Sequence, residues 1–108
     1  IAQGTSQDPI VFTSAQIGQE KPGDWEGIKL GLSAGAGSTF EYCQVSYGGN
    51  FPGVSGNIGF YGNQEANIPI TNCTLSNSGG FGIYIDGSNY PSLSSNTFNA
   101  NASGDKNF

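Results

Sequence analysis

An all-β chain wound as a β-solenoid of about 3–4 coils, each of 23–30 residues, with no substantial helix, is the fold that these 108 residues predict. The 18 glycines and 5 prolines are scattered along the whole chain, so almost no window of helical length escapes a breaker. The window that does, residues 92–103, is mostly Ser and Asn, which draw backbone hydrogen bonds away from a helix. Apolar residues instead alternate over short stretches, as half-buried strands require. That alternation repeats. Ile28, Leu30, Phe40, Cys43 and Val45 are followed 30 residues later by Ile58, Phe60, Ile70, Cys73 and Leu75. A third copy runs Ile83, Ile85, Leu93, Asn96 and Phe98, at offsets of 25 and then 23.

Along the chain, Pro9-Ile10-Val11-Phe12-Thr13 reads as the second half of an earlier unit, with Ile10 lying 30 residues before Phe40. The first strand of each later unit covers residues 27–30, 57–60 and 82–85, with Ile, Leu and Phe inward and Lys29, Gly59 and Tyr84 outward. The second strand covers residues 40–45, 70–75 and 93–98. Its apolar ends are five residues apart, an odd number, so one straight strand cannot bury both. A bend is expected near Tyr42, Asn72 and Ser95, since Asn and Ser suit such bends. Glycine-rich segments, residues 46–56 and 76–81, close the units. Parallel stacking at roughly 4.8 Å aligns Leu30, Phe60 and Ile85 in one inward column and Val45, Leu75 and Phe98 in another. The competing architecture is a sandwich of short antiparallel strands, but the two-residue Asn-Gly type turns it needs are missing where strands would reverse.

The domain reading is a single segment, residues 1–108, uncapped at both ends. No amphipathic helix precedes Pro9, and residues 99–108 read as a polar corner. Starting at Ile1 without a methionine or signal peptide, the segment is expected to be a processed form, an excerpt of a longer solenoid, or a protomer that stacks on its copies.

Composition excludes several functions. Charged residues are 10% of the chain, against roughly 25% in an average soluble domain. There is no histidine and no arginine, and Lys21, Lys29 and Lys106 are the only cationic side chains. A chain without histidine cannot build a Ser-His-Asp, Cys-His or histidine–metal site. A net charge of −5 opposes binding to a phosphate backbone, so no nucleic-acid partner is expected. No apolar run reaches the roughly 18–20 residues that span a bilayer.

Pro9-Ile-Val-Phe-Thr-Ser14, Gly23-Asp-Trp-Glu-Gly-Ile28 and Tyr42-Cys-Gln-Val-Ser-Tyr-Gly-Gly49 resemble secreted bacterial right-handed parallel β-helix repeat proteins. Ile70-Thr-Asn-Cys-Thr-Leu75 and Ser95-Asn-Thr-Phe98 are similar to the generic coil of the superfamily that includes pectate lyases. The resemblance covers nearly the whole chain. It implies a right-handed coil and an extracellular or cell-surface location. It also implies what an enzyme of that kind would carry: an arginine or lysine base beside calcium-binding carboxylates in the lyases, several aspartates on neighbouring coils in the hydrolases. Here no lysine falls beside a carboxylate cluster, and the outward column through Glu41 continues as Thr71 and Ser94.

Asp24 and Glu26 straddle Trp25 on one face, either as a carboxylate pair or, the favoured reading, as a solvated corner beside a buried Trp25. No catalytic residue is assigned. Gly79-Gly-Phe-Gly-Ile-Tyr84 begins like a calcium-binding nonapeptide but carries tyrosine where that repeat needs aspartate. Asp86-Gly-Ser-Asn89 fails the EF-hand pattern. No cofactor is expected, and a surface calcium is the minority reading. Tyr61 lies beside Asp86 in one outward column, with Tyr84 two residues from Asp86. Together they make a candidate sugar platform, against the plainer reading of tyrosines that only brace adjacent strands. Cys43 and Cys73 stack on neighbouring coils as buried thiols or as a strained disulfide. Asn72-Cys-Thr74 and Asn101-Ala-Ser103 match the N-glycosylation pattern, with Asn72 better read as a bend residue.

The expected function is a non-catalytic structural module of a secreted or cell-surface β-solenoid. Its partners are adjacent coils of the same chain, or copies of itself stacked end to end into a filament. The alternative is a carbohydrate-binding or polysaccharide-processing β-helix whose site lies partly outside this segment.

Overall fold

The computed structural model describes residues 1–31, 38–62, 68–86 and 91–108, and these residues contain strands and turns but no helix. Among the described residues, twelve strands form three parallel sheets of four. The first sheet holds β1 (Ala2–Gln3), β4 (Phe40–Glu41), β7 (Ile70–Thr71) and β10 (Leu93–Ser94). The second holds β2 (Ile10–Phe12), β5 (Cys43–Ser46), β8 (Thr74–Ser76) and β11 (Thr97–Asn99). The third holds β3 (Ile28–Leu30), β6 (Gly56–Phe60), β9 (Phe81–Ile85) and β12 (Gly104–Lys106). Each coil contributes one strand to every sheet, so the described residues make four three-strand coils.

The bend at the odd spacing is present. Tyr42, Asn72 and Ser95 have φ of 50°, 52° and 57°, which turns the chain from the first sheet into the second. The expected second strand is therefore two strands in different sheets, and a coil has three strands rather than two. A second left-handed corner recurs at Tyr47, Asn77 and Ala100, with φ of 63°, 54° and 55°. A non-glycine residue held there costs on the order of 1 kcal/mol. The stack offsets that cost with inter-coil bonds such as Tyr47 N–H to the Ser76 carbonyl, 3.3 Å, and Asn77 N–H to the Asn99 carbonyl, 3.0 Å.

Register follows the inferred columns. Leu30 pairs with Phe60 and Phe60 with Ile85, while Val45 pairs with Leu75 and Leu75 with Phe98. Two expectations change at the outer coils. Ile10 pairs with Cys43, not with Phe40, whose neighbour is Ala2 of the short strand β1. Residues 104–106, read as part of a polar corner, form strand β12 on β9 and place Lys106 opposite Ile83 in an otherwise apolar column.

Burial reflects the stacking. Phe40, Cys43, Val45, Ile58, Phe60, Ile68, Ile70, Cys73, Leu75 and Ile83, all on the two inner coils, form the buried core. Ile10, Phe12, Ile28 and Leu30 of the first coil and Leu93 and Phe98 of the fourth are only partly buried, since a neighbouring coil covers them on one side. Buried polar side chains of the inner coils find partners, whereas the buried Glu20 Oε1 of the first coil has none among the described residues. Asn57, fully buried, accepts from Gly48 N–H at 2.8 Å and donates to the Ser76 carbonyl at 2.9 Å. In the fourth coil, side-chain amides stand in for peptide groups. Asn96 bonds Cys73 N–H and the Ile70 carbonyl, Asn101 bonds Ser78 N–H and the Leu75 carbonyl, and Asn107 bonds both N–H and carbonyl of Ile85.

Candidate functional site

The outer face of the third sheet gathers the aromatic side chains. Tyr61 follows β6 directly, and its ring folds back over Gly59. A methyl group at Gly59 would sit 2.6 Å from Tyr61 Cε2, so only glycine leaves room for the ring. Tyr84, opposite Gly59 on the next coil, lies with its ring centroid 5.6 Å from that of Tyr61 at an interplanar angle of 39°. Phe81 extends the row, 6.2 Å from Tyr84 and nearly parallel at 25°.

At the other end, Lys29 Nζ lies 5.8 Å from the Tyr61 ring and 5.9 Å from that of Phe51, a cation shared between two π faces. Phe51 is 53% exposed and is held by its own loop. Its N–H donates to Ser55 Oγ at 3.0 Å, and Ser55 Oγ donates back to its carbonyl at 2.6 Å. Tyr61 Oη donates to the Val54 carbonyl at 3.3 Å, which ties the loop to the row. The cluster thus runs from Phe51 and Lys29 to Tyr61, steps to Tyr84 on the next coil, and continues along β9 to Phe81.

Of the sequence-predicted platform residues, Tyr61 and Tyr84 are brought into ring contact. Asp86 follows the paired Ile85, and its N–H donates to the Phe60 carbonyl at 2.8 Å, which sets it one coil from Tyr61. Burial raises the Tyr61 phenol pKa, and the nearby Tyr84, Asp86 and Glu26 push it further the same way, so the ring keeps its hydroxyl proton through the neutral range. Sequence reasoning missed Phe51, Phe81 and the placement of Lys29. Phe51 sits in a loop that no alternation describes. Phe81 shares the inward parity of Ile83 and Ile85, and the glycines opposite it on both sides, Gly56 and Gly104, were the available signal.

The carboxylates do not converge. Asp24 Oδ2 accepts from Ser14 Oγ at 2.6 Å and from Lys21 N–H at 2.9 Å, and these bonds, the Ser14 one first, hold its carboxyl below the usual range. Glu26 pairs with Lys29 at 3.3 Å instead of sharing a proton with Asp24. Trp25, expected to be buried, is half-buried: it packs on the core with its indole N–H donating to the Ser46 carbonyl at 2.8 Å. Glu41 has Gln3 and Thr71 as register neighbours. Among the described residues, no group of three Cys, Asp or Glu side chains is arranged to hold a metal ion.

Residues 87–89 of the Asp86-Gly-Ser-Asn89 stretch lie outside the described residues. Gly79 and Gly80 mark a close approach of two coils: a methyl at Gly80 would lie 2.2 Å from the Ser55 carbonyl oxygen. Cys43 and Cys73 are free, buried and in register. Burial raises both thiols, that of Cys73 to about 11. Of the two N-glycosylation matches, Asn72 is exposed at its bend, whereas the Asn101 side-chain nitrogen donates to the Leu75 carbonyl at 2.9 Å.

No curated protein and no solved structure matches this chain. The pattern described as "Right handed beta helix region" matches residues 23–105, which span β3 to β12. Stacked parallel strands in three sheets, columns of equivalent side chains and that match over most of the sequence together place the chain in the right-handed β-helix family.

Proposed function

We propose that the chain is a non-catalytic structural module of an extracellular or cell-surface β-solenoid, and that it joins further coils, of the same polypeptide or of a second copy, through its first coil. The observation that supports this reading is the difference between the two outer coils. The first coil presents Ile10, Phe12, Ile28 and Leu30, all only partly buried, along an open strand edge. The fourth coil places Lys106 in the column of Ile28, Ile58 and Ile83, and its Asn96 takes the position of the cysteines. A coil laid on the fourth would have to desolvate that ammonium group. A coil laid on the first would cover apolar side chains and pair idle backbone groups. Scattered carboxylates, each with its own structural partner or standing apart, support the non-catalytic part.

The test is sedimentation velocity of the 108-residue chain across micromolar concentrations. Ile10 N–H bonds the Tyr42 carbonyl, so strand alternation turns Val11 N–H away from β5 and toward the open edge. Growth beyond monomer with concentration is expected, and Val11→Pro, which removes that outward donor, should reduce it. A chain that stays monomeric at every concentration contradicts the proposal.

A further inference from the structure

We infer that Tyr61 and Tyr84 form an oxidative cross-linking site, a pair of phenols placed to join as a dityrosine that ties the second coil to the third. Of the five tyrosines, these two make the tyrosine–tyrosine ring contact found among the described residues, with centroids 5.6 Å apart and planes at 39°. Dityrosine forms at the ring carbon next to the hydroxyl, and the fold puts that carbon at the junction. Tyr61 Cε2 lies over Gly59, 2.6 Å from where a Gly59 methyl would sit, and Gly59 is the register partner of Tyr84. The glycine therefore seats the reactive edge of one phenol in the space beside the other. The loop keeps it there, through the bond from Tyr61 Oη to the Val54 carbonyl at 3.3 Å. Rings tilted at 39° and already in contact need only turn toward a common plane for their edges to meet.

The step needs a one-electron oxidant, here hydrogen peroxide acting through a haem peroxidase. Each phenol gives up one electron and its hydroxyl proton and becomes a neutral tyrosyl radical, with its unpaired electron shared between the oxygen and the ring carbons ortho to it, Cε1 and Cε2. A carbon–carbon bond then joins one ortho carbon of each ring. Each of those carbons loses its hydrogen as a proton, each oxygen takes a proton back, and both rings are aromatic again. Two phenols and one peroxide thus give one dityrosine and two waters. The surroundings restrict the choice of partner. Tyr84 has Tyr61 on one side and Phe81, 6.2 Å away, on the other, and phenylalanine has no phenolic proton to give. Both tyrosines are partly exposed, so an oxidant can draw their electrons from the surface while the stack holds the rings together. The link closes the chain between residues 61 and 84 into a loop and resists unfolding as other covalent cross-links do.

This inference is independent of the coil-joining proposal, since the pair lies between inner coils and the joining surface on the open edge of the first. The test is treatment of the dilute 108-residue chain with a haem peroxidase and limiting hydrogen peroxide, read by dityrosine fluorescence, denaturing electrophoresis and mass spectrometry of proteolytic fragments. The expected product fluoresces, runs as a monomer, is lighter by two hydrogens and yields a fragment pair joined through residues 61 and 84. Tyr84→Phe, which keeps the ring and its packing, should abolish that product, whereas Tyr42→Phe and Tyr47→Phe should leave it. Oxidation in urea, where the stack is lost, should give much less of the 61–84 link. Absence of dityrosine, preferential linkage through Tyr42, Tyr47 or Tyr90, coupling only between chains, an undiminished 61–84 link in urea, or within-chain dityrosine retained by Tyr84→Phe would overturn the inference.

Discussion

Three leucines on three different coils allow the stacking account to be tested at constant chemistry. Leu75 is fully buried on the third coil, between Val45 and Phe98 in its column. Leu30 on the first coil and Leu93 on the fourth occupy inward positions too, but each is only partly buried. Truncating Leu75 to alanine removes a side chain enclosed by coils on both sides, where little can collapse into the space. The expected cost is about 3–5 kcal/mol, which combines transfer and cavity contributions. Leu30→Ala and Leu93→Ala lose only part of that transfer energy and leave an open notch rather than a cavity, so about 1–2 kcal/mol is expected for each. Against a total stability of roughly 5–15 kcal/mol for a domain, the first loss is a distinctly larger fraction than either of the other two. Urea denaturation of the three variants, compared at equal slope, measures the difference. If Leu30→Ala or Leu93→Ala destabilises as much as Leu75→Ala, burial is not set by coil position and the stacking account fails.

Two further perturbations probe the inner coils. Burial raises both thiols in the fold, that of Cys73 from 9.0 to about 11, so the unfolded chain releases those protons first and stability falls as pH rises through that interval. Urea midpoints of the wild type and of a Cys43→Ala, Cys73→Ala double variant across this range check it: the wild type should lose more, and equal slopes would refute it. Gly80→Ala forces a methyl to within 2.2 Å of the Ser55 carbonyl oxygen, so the close coil corner must open. A loss of about 1–3 kcal/mol is expected, and a melting temperature equal to that of the wild type would mean that the corners do not touch.

What the sequence made legible was whatever repeated. Inward columns appear because Leu30, Phe60 and Ile85 are all large and apolar, and the bend appears because an odd spacing cannot be straight. The second corner leaves no such mark. Tyr47, Asn77 and Ala100 share a backbone conformation but no side-chain property, and conformation without a common residue type is invisible to pattern reading. The outer strands were hidden for a related reason. β1 has Ala2 as its sole apolar residue, and β12 puts Lys106 where the pattern demands isoleucine. Half of the aromatic row followed from register alone, through Tyr61 and Tyr84. The other half depends on where a loop carries Phe51 and on how the Phe81 ring leaves the inward column at the start of its strand.

The most direct measurement of the central claim, that this module works by joining coils through its first coil, is residue-resolved amide hydrogen exchange at low and high protein concentration. Val11 N–H faces the open edge of the first coil, whereas Ile70 N–H, bonded to the Ser92 carbonyl at 2.9 Å, lies inside the stack at any concentration. The account predicts that Val11 gains protection as concentration rises, while Ile70 and the amides of β12 stay as they are. Concentration-independent exchange at Val11, or a gain confined to β12, would contradict it.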